Sequence, residues 1–375
     1  MKVGILTFHN ADNFGAVLQV YALQTYLIRK GFSVEVIDFR PKYVDSVYKV
    51  IPSKFKDNKR YMSKDHVKRA CLNILNPKKY KERKNGFLSF RRDNLKITED
   101  IYRTCEDLKK LSFDAYIFGS DQVWNPTITN GVEGAFFGAF SQGDAKKISY
   151  AASMGSKEVP EQYREKFKEL VSALDSISVR EYQGAETIKT YTDKSVEHVL
   201  DPTLLIDIEE MNKVAKMPEI QGEYLLLYSL TMAKSDDRIY KVAYELADKL
   251  GLKVIEIDKK GTHDPKYKKH ECLLNINPAQ FLGLIKEASF VVSNSFHGTA
   301  FAIANKKPFY TFGTRATSER MLSILNMLEI PERFLDNKME VDEIKEIDYE
   351  KIGNKLKSEK AKSEKFLMKA LSGEE

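Results

Sequence analysis

The chain has 375 residues, of which 42% are hydrophobic and 30% charged, with a formal net charge of +6. That length exceeds what one core usually fills, so two domains are expected, and so small a charge gives no ground for a nucleic-acid partner. Cys71, Cys105 and Cys272 are too widely spaced for a CxxC pair and read as reduced thiols, no apolar run approaches the ~20 residues of a membrane span, and the start MKVGILTFHN reads as a strand, so a cytoplasmic protein is expected.

Residues 3–8 form a first buried strand, followed by the loop HNADNFG and a helix over about 16–30. Its apolar stripe is Ala16, Val17, Val20, Leu23 and Leu27, and Gly31 stops it. A second strand over 32–39 completes a βαβ unit, whose crossover makes the two strands parallel. Asn13 and Gly15 sit at the strand-to-helix turn, where they serve either turn geometry or an open backbone surface for a ligand. Residues 43–104 break the pattern. They are crowded with Lys and Arg, carry one short amphipathic helix around Val67–Leu75, and read as a solvated face or a contact surface for an anionic partner.

The strand over 113–119 delivers the loop SDQVWNP. Asp121, Gln122 and the single Trp124 stand together there, and a flat apolar ring beside hydrogen-bonding groups is the chemistry of a sugar site. A strand over 147–152, a helix over 160–174 and the strand ISVR, ending at Arg180, follow. Residues 196–206 close this half and 208–223 read as helix and linker. A second α/β half opens with YLLLYSL at 224, then a helix over 236–250, a strand LKVIEID and the polar loop GTHDPKYKKH. His263 and His270 in that loop are not spaced i, i+4, and no metal site is expected.

The organising stretch is ASFVVSNSFHGTAFAIANKKPFYTFG, residues 288–313. It reads as strand, tight turn, helix and strand, with His297 at the mouth of the turn. Ser293, Asn294 and Ser295 can cap the helix, and its N-terminus, with Gly298 and Thr299, offers a ready anion site. Ligands of parallel sheets bind beyond the carboxyl ends of strands, where His297 lies. Arg315 and Arg320 follow the next strand, and the charged tail from about 340 reads as helix. The whole is an α/β chain of two Rossmann-like domains facing a central cleft, divided as 1–207, with a basic insert over about 43–104, and 218–375, whose last helix reaches back across the junction.

Three stretches, NADNFGAVLQVYALQ, GSDQVWNP and SNSFHGTAFA, together with ISVRE and DPTLLI in the same order, resemble the polysaccharide pyruvyl transferase family. The resemblance implies a fold like that of GT-B glycosyltransferases and an enzyme that moves the enolpyruvyl unit of phosphoenolpyruvate onto a sugar as a ketal. It implies His297 as the catalytic acid–base group and Ser293, Asn294, Ser295, Gly298, Thr299, Arg315 and Arg320 on the donor anion. Asn13, Gly15, Asp121, Gln122, Trp124 and Arg180 would face the acceptor, a sugar or a lipid-linked oligosaccharide met at the inner face of a membrane through a peripheral contact. Phosphoenolpyruvate is a co-substrate in this scheme, and no cofactor or metal is expected. Where the compared transferases carry Arg two residues before the His, this chain has Ser295, so Arg315 or Arg320 is expected to supply that charge or the donor differs. A nucleotide-sugar glycosyltransferase and a non-catalytic sugar-phosphate binder are the alternatives.

Overall fold

Strand β1 (Lys2–Leu6) runs through the helix Phe14–Arg29 into β2 (Ser33–Val36), which pairs with it in parallel, Val3 opposite Val34. A crossover of helix length can deliver the second strand only in the parallel sense. The computed structural model describes residues 1–56, 59–62, 64–230, 237–257, 270–313, 318–336 and 344–373. A short antiparallel pair, β3 (Lys54–Lys56) and β4 (Lys59–Tyr61), is followed by β5 (Ala115–Phe118), β6 (Lys146–Ala152), β7 (Ser176–Val179) and β8 (Val196–His198). The first large sheet has the order β2-β1-β5-β6-β7-β8, parallel throughout.

The second sheet repeats the plan with β9 (Tyr224–Tyr228), β10 (Lys253–Ile257), β11 (His270–Leu273), β12 (Phe290–Ser293), β13 (Phe309–Phe312) and β14 (Phe334–Leu335). Its order is β11-β10-β9-β12-β13-β14, again parallel. In each sheet the chain first travels outward on one side and then returns to the other. That reversal leaves a switch point between β1 and β5, and another between β9 and β12, where loops part above the strand ends. The expected α/β class with two doubly wound halves is therefore what the chain forms. Strands covered on both faces explain the uninterrupted apolar runs AYIF and YLLLY, every residue of which is buried.

The chain divides into two compact units: Met1–Asn76, Arg91–Ile206 and Lys357–Glu375 form the first, and Pro77–Phe90 with Asp207–Leu356 the second. A single cut near residue 207 would thus misplace two segments, one from each long helix, Pro77–Asn94 and Tyr349–Ser372.

Two elements differ from expectation for identifiable reasons. Residues 64–94 carry two helices, Lys64–Leu75 and Pro77–Asn94, and the second is more than a solvated face. It buries Phe87 and Phe90, and Arg91 Nη1 donates to Asp12 Oδ1 at 3.0 Å. His270, expected in a polar loop, begins the edge strand β11, because a parallel register with β10 supplies backbone partners that composition does not reveal.

Candidate active site

In the second unit the sequence S-N-S-F-H-G-T turns the chain from β12 into the helix Phe296–Ala304. Each small polar residue has a local task. Ser293 Oγ donates to the Tyr228 carbonyl at 2.7 Å and accepts from the Ser295 N–H at 3.0 Å, tying the end of β12 to β9. Asn294 bridges the switch point: its Oδ1 accepts from the Leu230 N–H at 2.6 Å, and its amide donates to Ser229 Oγ at 3.2 Å. Ser295 is the N-cap, accepting from the Gly298 N–H at 3.3 Å. Thr299 Oγ1 lies 2.9 Å from Thr311 Oγ1 and 3.7 Å from Met321 Sδ, which fastens this helix to β13 and to the helix Ser318–Met327.

Gly298 is required by packing. A Cβ there would lie 2.4 Å from Ser293 Oγ and 2.9 Å from the Tyr228 ring. The absence of that carbon lets the helix start sit directly on the ends of β9 and β12. His297 is thereby fixed in the first turn beyond the carboxyl end of β12, 8% exposed, with its ring edge-on to Phe296. A helix N-terminus favours negative charge, so an anion that reached this turn would meet the imidazole there. Arg320 is half-buried in the first turn of the helix Ser318–Met327, next to the Met321 that touches Thr299. Arg315 and His263 lie outside the described residues.

The corresponding switch point of the first unit is built differently. Asn13 caps the helix Phe14–Arg29 by accepting from the Ala16 N–H, and Gly15 is buried within its first turn. Asp121 (φ 71°) and Gln122 are half-buried past the end of β5. Asp121 Oδ1 accepts from the Gln122 N–H at 2.8 Å, and Gln122 Oε1 accepts from the Asn125 amide at 2.9 Å.

Trp124 is not a sugar platform. It is 2% exposed, stacks on Phe137 at 4.9 Å and 6°, meets Phe167 edge-on, and its indole N–H donates to the Phe136 carbonyl. The apolar neighbours Phe136 and Phe137 arrive from a distant turn, so the polar residues flanking Trp124 in sequence gave the wrong surroundings. Arg180 is likewise internal. Its Nη1 donates to Asp201 Oδ2 at 2.9 Å and its Nε to Glu181 Oε1 at 3.1 Å, with side-chain exposures of 1%, 0% and 9%. Burial alone would lower the Arg180 pKa, but Glu181, Asp201 and Asp121 outweigh it and hold the guanidinium charged. Ser120 Oγ stands 2.8 Å from the same Asp201 oxygen.

A second polar group at this edge went unread in the sequence. His9 Nε2 lies 3.0 Å from Asp38 Oδ1, and Arg40 grips both Asp38 oxygens at 2.6 and 2.7 Å. Burial would raise the Asp38 pKa, yet the hydrogen bonds from His9 and Arg40 bring it below the ordinary carboxylate value. Only the parallel pairing of β1 with β2 brings residues 9 and 38 together. A depression of about 800 Å³ elsewhere in this unit is lined by Lys146, Lys147, Ser176 and Lys194 at the amino ends of β6 to β8, the edge where parallel sheets do not place ligands.

The sequence pattern of the family described as polysaccharide pyruvyl transferase matches residues 13–315, from the cap of the first helix past the end of β13. The chain belongs to the polysaccharide pyruvyl transferase family. It is accordingly a transferase, and both strand-end clusters just described fall almost wholly inside the matched span. No curated protein matches this family member by sequence. Among solved structures it is similar to the UDP-GlcNAc 2-epimerase of Neisseria meningitidis bound to UDP-GlcNAc, at 11% identity and a TM-score of 0.47, over 99% of this chain and 94% of that one. It is also similar to a putative UDP-N-acetylglucosamine 2-epimerase of Listeria monocytogenes (11%, TM-score 0.46, 97% and 90%) and to the E. coli heptosyltransferase WaaC with ADP-2-deoxy-2-fluoro heptose (12%, TM-score 0.38, 83% and 88%). No described helix of this pyruvyl transferase family member is long and apolar enough to cross a membrane.

Proposed function

We propose that this transferase moves the enolpyruvyl unit of phosphoenolpyruvate onto two hydroxyls of a sugar in a cell-surface polysaccharide or its lipid-linked precursor. The observation that carries the reading is His297, held by Gly298 in the first turn of a helix beyond β12, at the switch point of its sheet. In this reading the second unit holds the donor and the first the acceptor.

The chemistry follows from the donor. Carbon 3 of the enol must take a proton before carbon 2 accepts a sugar hydroxyl; phosphate then leaves, and a second hydroxyl closes the ring. An imidazole can act as both acid and base, giving and taking that proton. The helix start holds the departing phosphate. Ser295 contributes no charge, since it is neutral and its oxygen caps the helix, so the carboxylate is held by Arg320 from the neighbouring helix. Asp121 and Gln122, at the end of β5, serve the acceptor in place of Trp124.

The test is phosphate release from phosphoenolpyruvate with sugar or lipid-linked acceptors, alongside a melting-temperature screen of phosphoenolpyruvate against uridine and cytidine nucleotides. A ligand that binds only the native state raises the melting temperature. Stabilisation by phosphoenolpyruvate, lost in Arg320→Ala, is expected. Stabilisation by a nucleotide alone would replace this reading with that of a nucleotide-sugar glycosyltransferase.

A further inference from the structure

The second unit holds another cluster, on its far sheet edge, that the transfer chemistry does not use. Glu256 on β10 and Cys272 on β11 are register partners in the parallel ladder, and His270 lies two residues earlier on the same face of β11. Their potential ligand atoms close a triangle. His270 Nε2 is 3.2 Å from Glu256 Oε2, Cys272 Sγ is 3.3 Å from the same oxygen, and Cys272 Sγ is 3.5 Å from His270 Nε2. A tetrahedral zinc with bonds of about 2.3 Å to sulfur and about 2.0–2.1 Å to nitrogen and oxygen has edges of about 3.3–3.6 Å between those same ligands.

The outer contacts are those of a metal site as well. Tyr244 Oη sits 2.7 Å from His270 Nδ1, so the other ring nitrogen faces the triangle. Tyr240, one helical turn earlier on Asp237–Leu250, donates to Glu256 Oε1 at 2.5 Å and leaves Oε2 for the centre. The Glu256 and His270 side chains are 0% and 1% exposed. A carboxylate so completely removed from water needs positive charge close by. Cys272 is half-buried, which gives an ion a way in.

We propose that Glu256, His270 and Cys272 bind a zinc ion, with the fourth position left to water, and that the ion clips the edge strand β11 to β10 beneath the helix of Tyr240 and Tyr244. Nitrogen, sulfur and carboxylate oxygen together are a borderline set that suits zinc rather than magnesium or calcium. Binding takes one proton from the Cys272 thiol, released to solvent, because only the thiolate ligates. The i, i+4 spacing applied to His263 and His270 could not find this group, because sheet register assembles it across thirteen residues of chain between Glu256 and His270.

The full chain, expressed without an affinity tag that binds metals, is assayed for zinc by mass spectrometry, then stripped and titrated with Co²⁺. About one zinc per chain is expected, with a thiolate-to-cobalt charge-transfer absorption that disappears in Cys272→Ser and persists in Cys71→Ser. Tyr244→Phe, which removes only the outer hydrogen bond, should weaken Co²⁺ binding by about 10- to 100-fold, and loss of a ligand in Cys272→Ser by more. The measurements on the unsubstituted protein stand even if a variant fails to fold. Zinc at background with no charge-transfer band, or a band that survives Cys272→Ser in folded protein, would overturn the proposal in favour of a purely hydrogen-bonded triad.

Discussion

The turn after β12 and the turn after β5 occupy the same place in their respective sheets, yet they have opposite chemical characters. Around His297 small polar residues and a glycine position the ring: Ser295 caps the helix, Ser293 ties β12 to β9, and Gly298 lets the helix start sit on the strand ends. Around Ser120 the corresponding turn is full. Asp201 receives Arg180, Ser120 and Thr203, and the adjoining Trp124 is locked into an aromatic stack. A strand's carboxyl end is thus a permissive place for a site and does not by itself make one.

The comparison breaks most directly at its two aromatic residues. His297→Ala should lower turnover by about 100- to 10,000-fold, the usual effect of losing a general acid–base group. Its unfolding midpoint should shift much less than that of Trp124→Ala, and near-normal turnover would remove His297 from catalysis. Trp124→Ala should do the reverse, costing about 3–5 kcal/mol of stability as a core truncation. Activity per folded molecule should survive in it, as measured by urea titration and by assay of the folded fraction.

Arg180→Met sharpens the first unit's side of the contrast. It leaves Asp201 buried without its cation, at a cost of about 3–5 kcal/mol. A variant as stable as the parent would show that the pair is not structural. Gly298→Ala probes the other side more gently. The added methyl must displace Ser293 or Tyr228, for about 1–3 kcal/mol of overpacking, and should lower turnover as well, because it moves the His297 turn. Normal kinetics with lowered stability would separate packing from positioning.

The smallest effect is electrostatic and confined to the first unit. Burial lowers the pKa of His198, against the hydrogen bond between its Nε2 and the Arg180 carbonyl at 3.1 Å. Above about pH 6.5 the ring is neutral in both states; as pH falls through that value the unfolded chain takes up the proton first, so stability declines toward the lower folded pKa. Asp38, also lowered when folded, adds a second loss below about pH 4, where the unfolded carboxylate protonates first. Denaturant midpoints measured across that range should fall in two steps, and His198→Gln should remove the upper one. An unchanged upper step in that variant would assign the proton elsewhere.

Much of this architecture was legible in the chain because its signals are local. The first helix, expected over 16–30, is Phe14–Arg29, and the strand and helix around His297 are Phe290–Ser293 and Phe296–Ala304. Apolar runs bounded by Gly, Asn and Pro mark such elements without reference to the rest of the molecule. What could not be read was assembled by sheet register or by packing across long separations. Trp124 meets Phe167, His9 meets Asp38, and Glu256 meets Cys272 only after the sheets exist. The amphipathic period of 64–75 was visible, but the burial of Phe87 and Phe90 within a run of lysines and arginines was not, since charge dominates that composition.

The last helix, Tyr349–Ser372, has a consequence for how the protein is made. From Lys357 onward it belongs to the unit that begins at Met1. There Ser363 Oγ accepts from the Leu200 N–H, Lys146 Nζ donates to the Leu371 carbonyl, and Lys30 pairs with Glu364. A ribosome that has finished β8 has therefore delivered a sheet whose closing helix is still more than a hundred and fifty codons away. Through that interval the nascent first unit waits with the Leu200 amide and the apolar seat of Leu367 uncovered, an exposure of the sort chaperones recognise. Synthesis of the second unit sets the length of that wait.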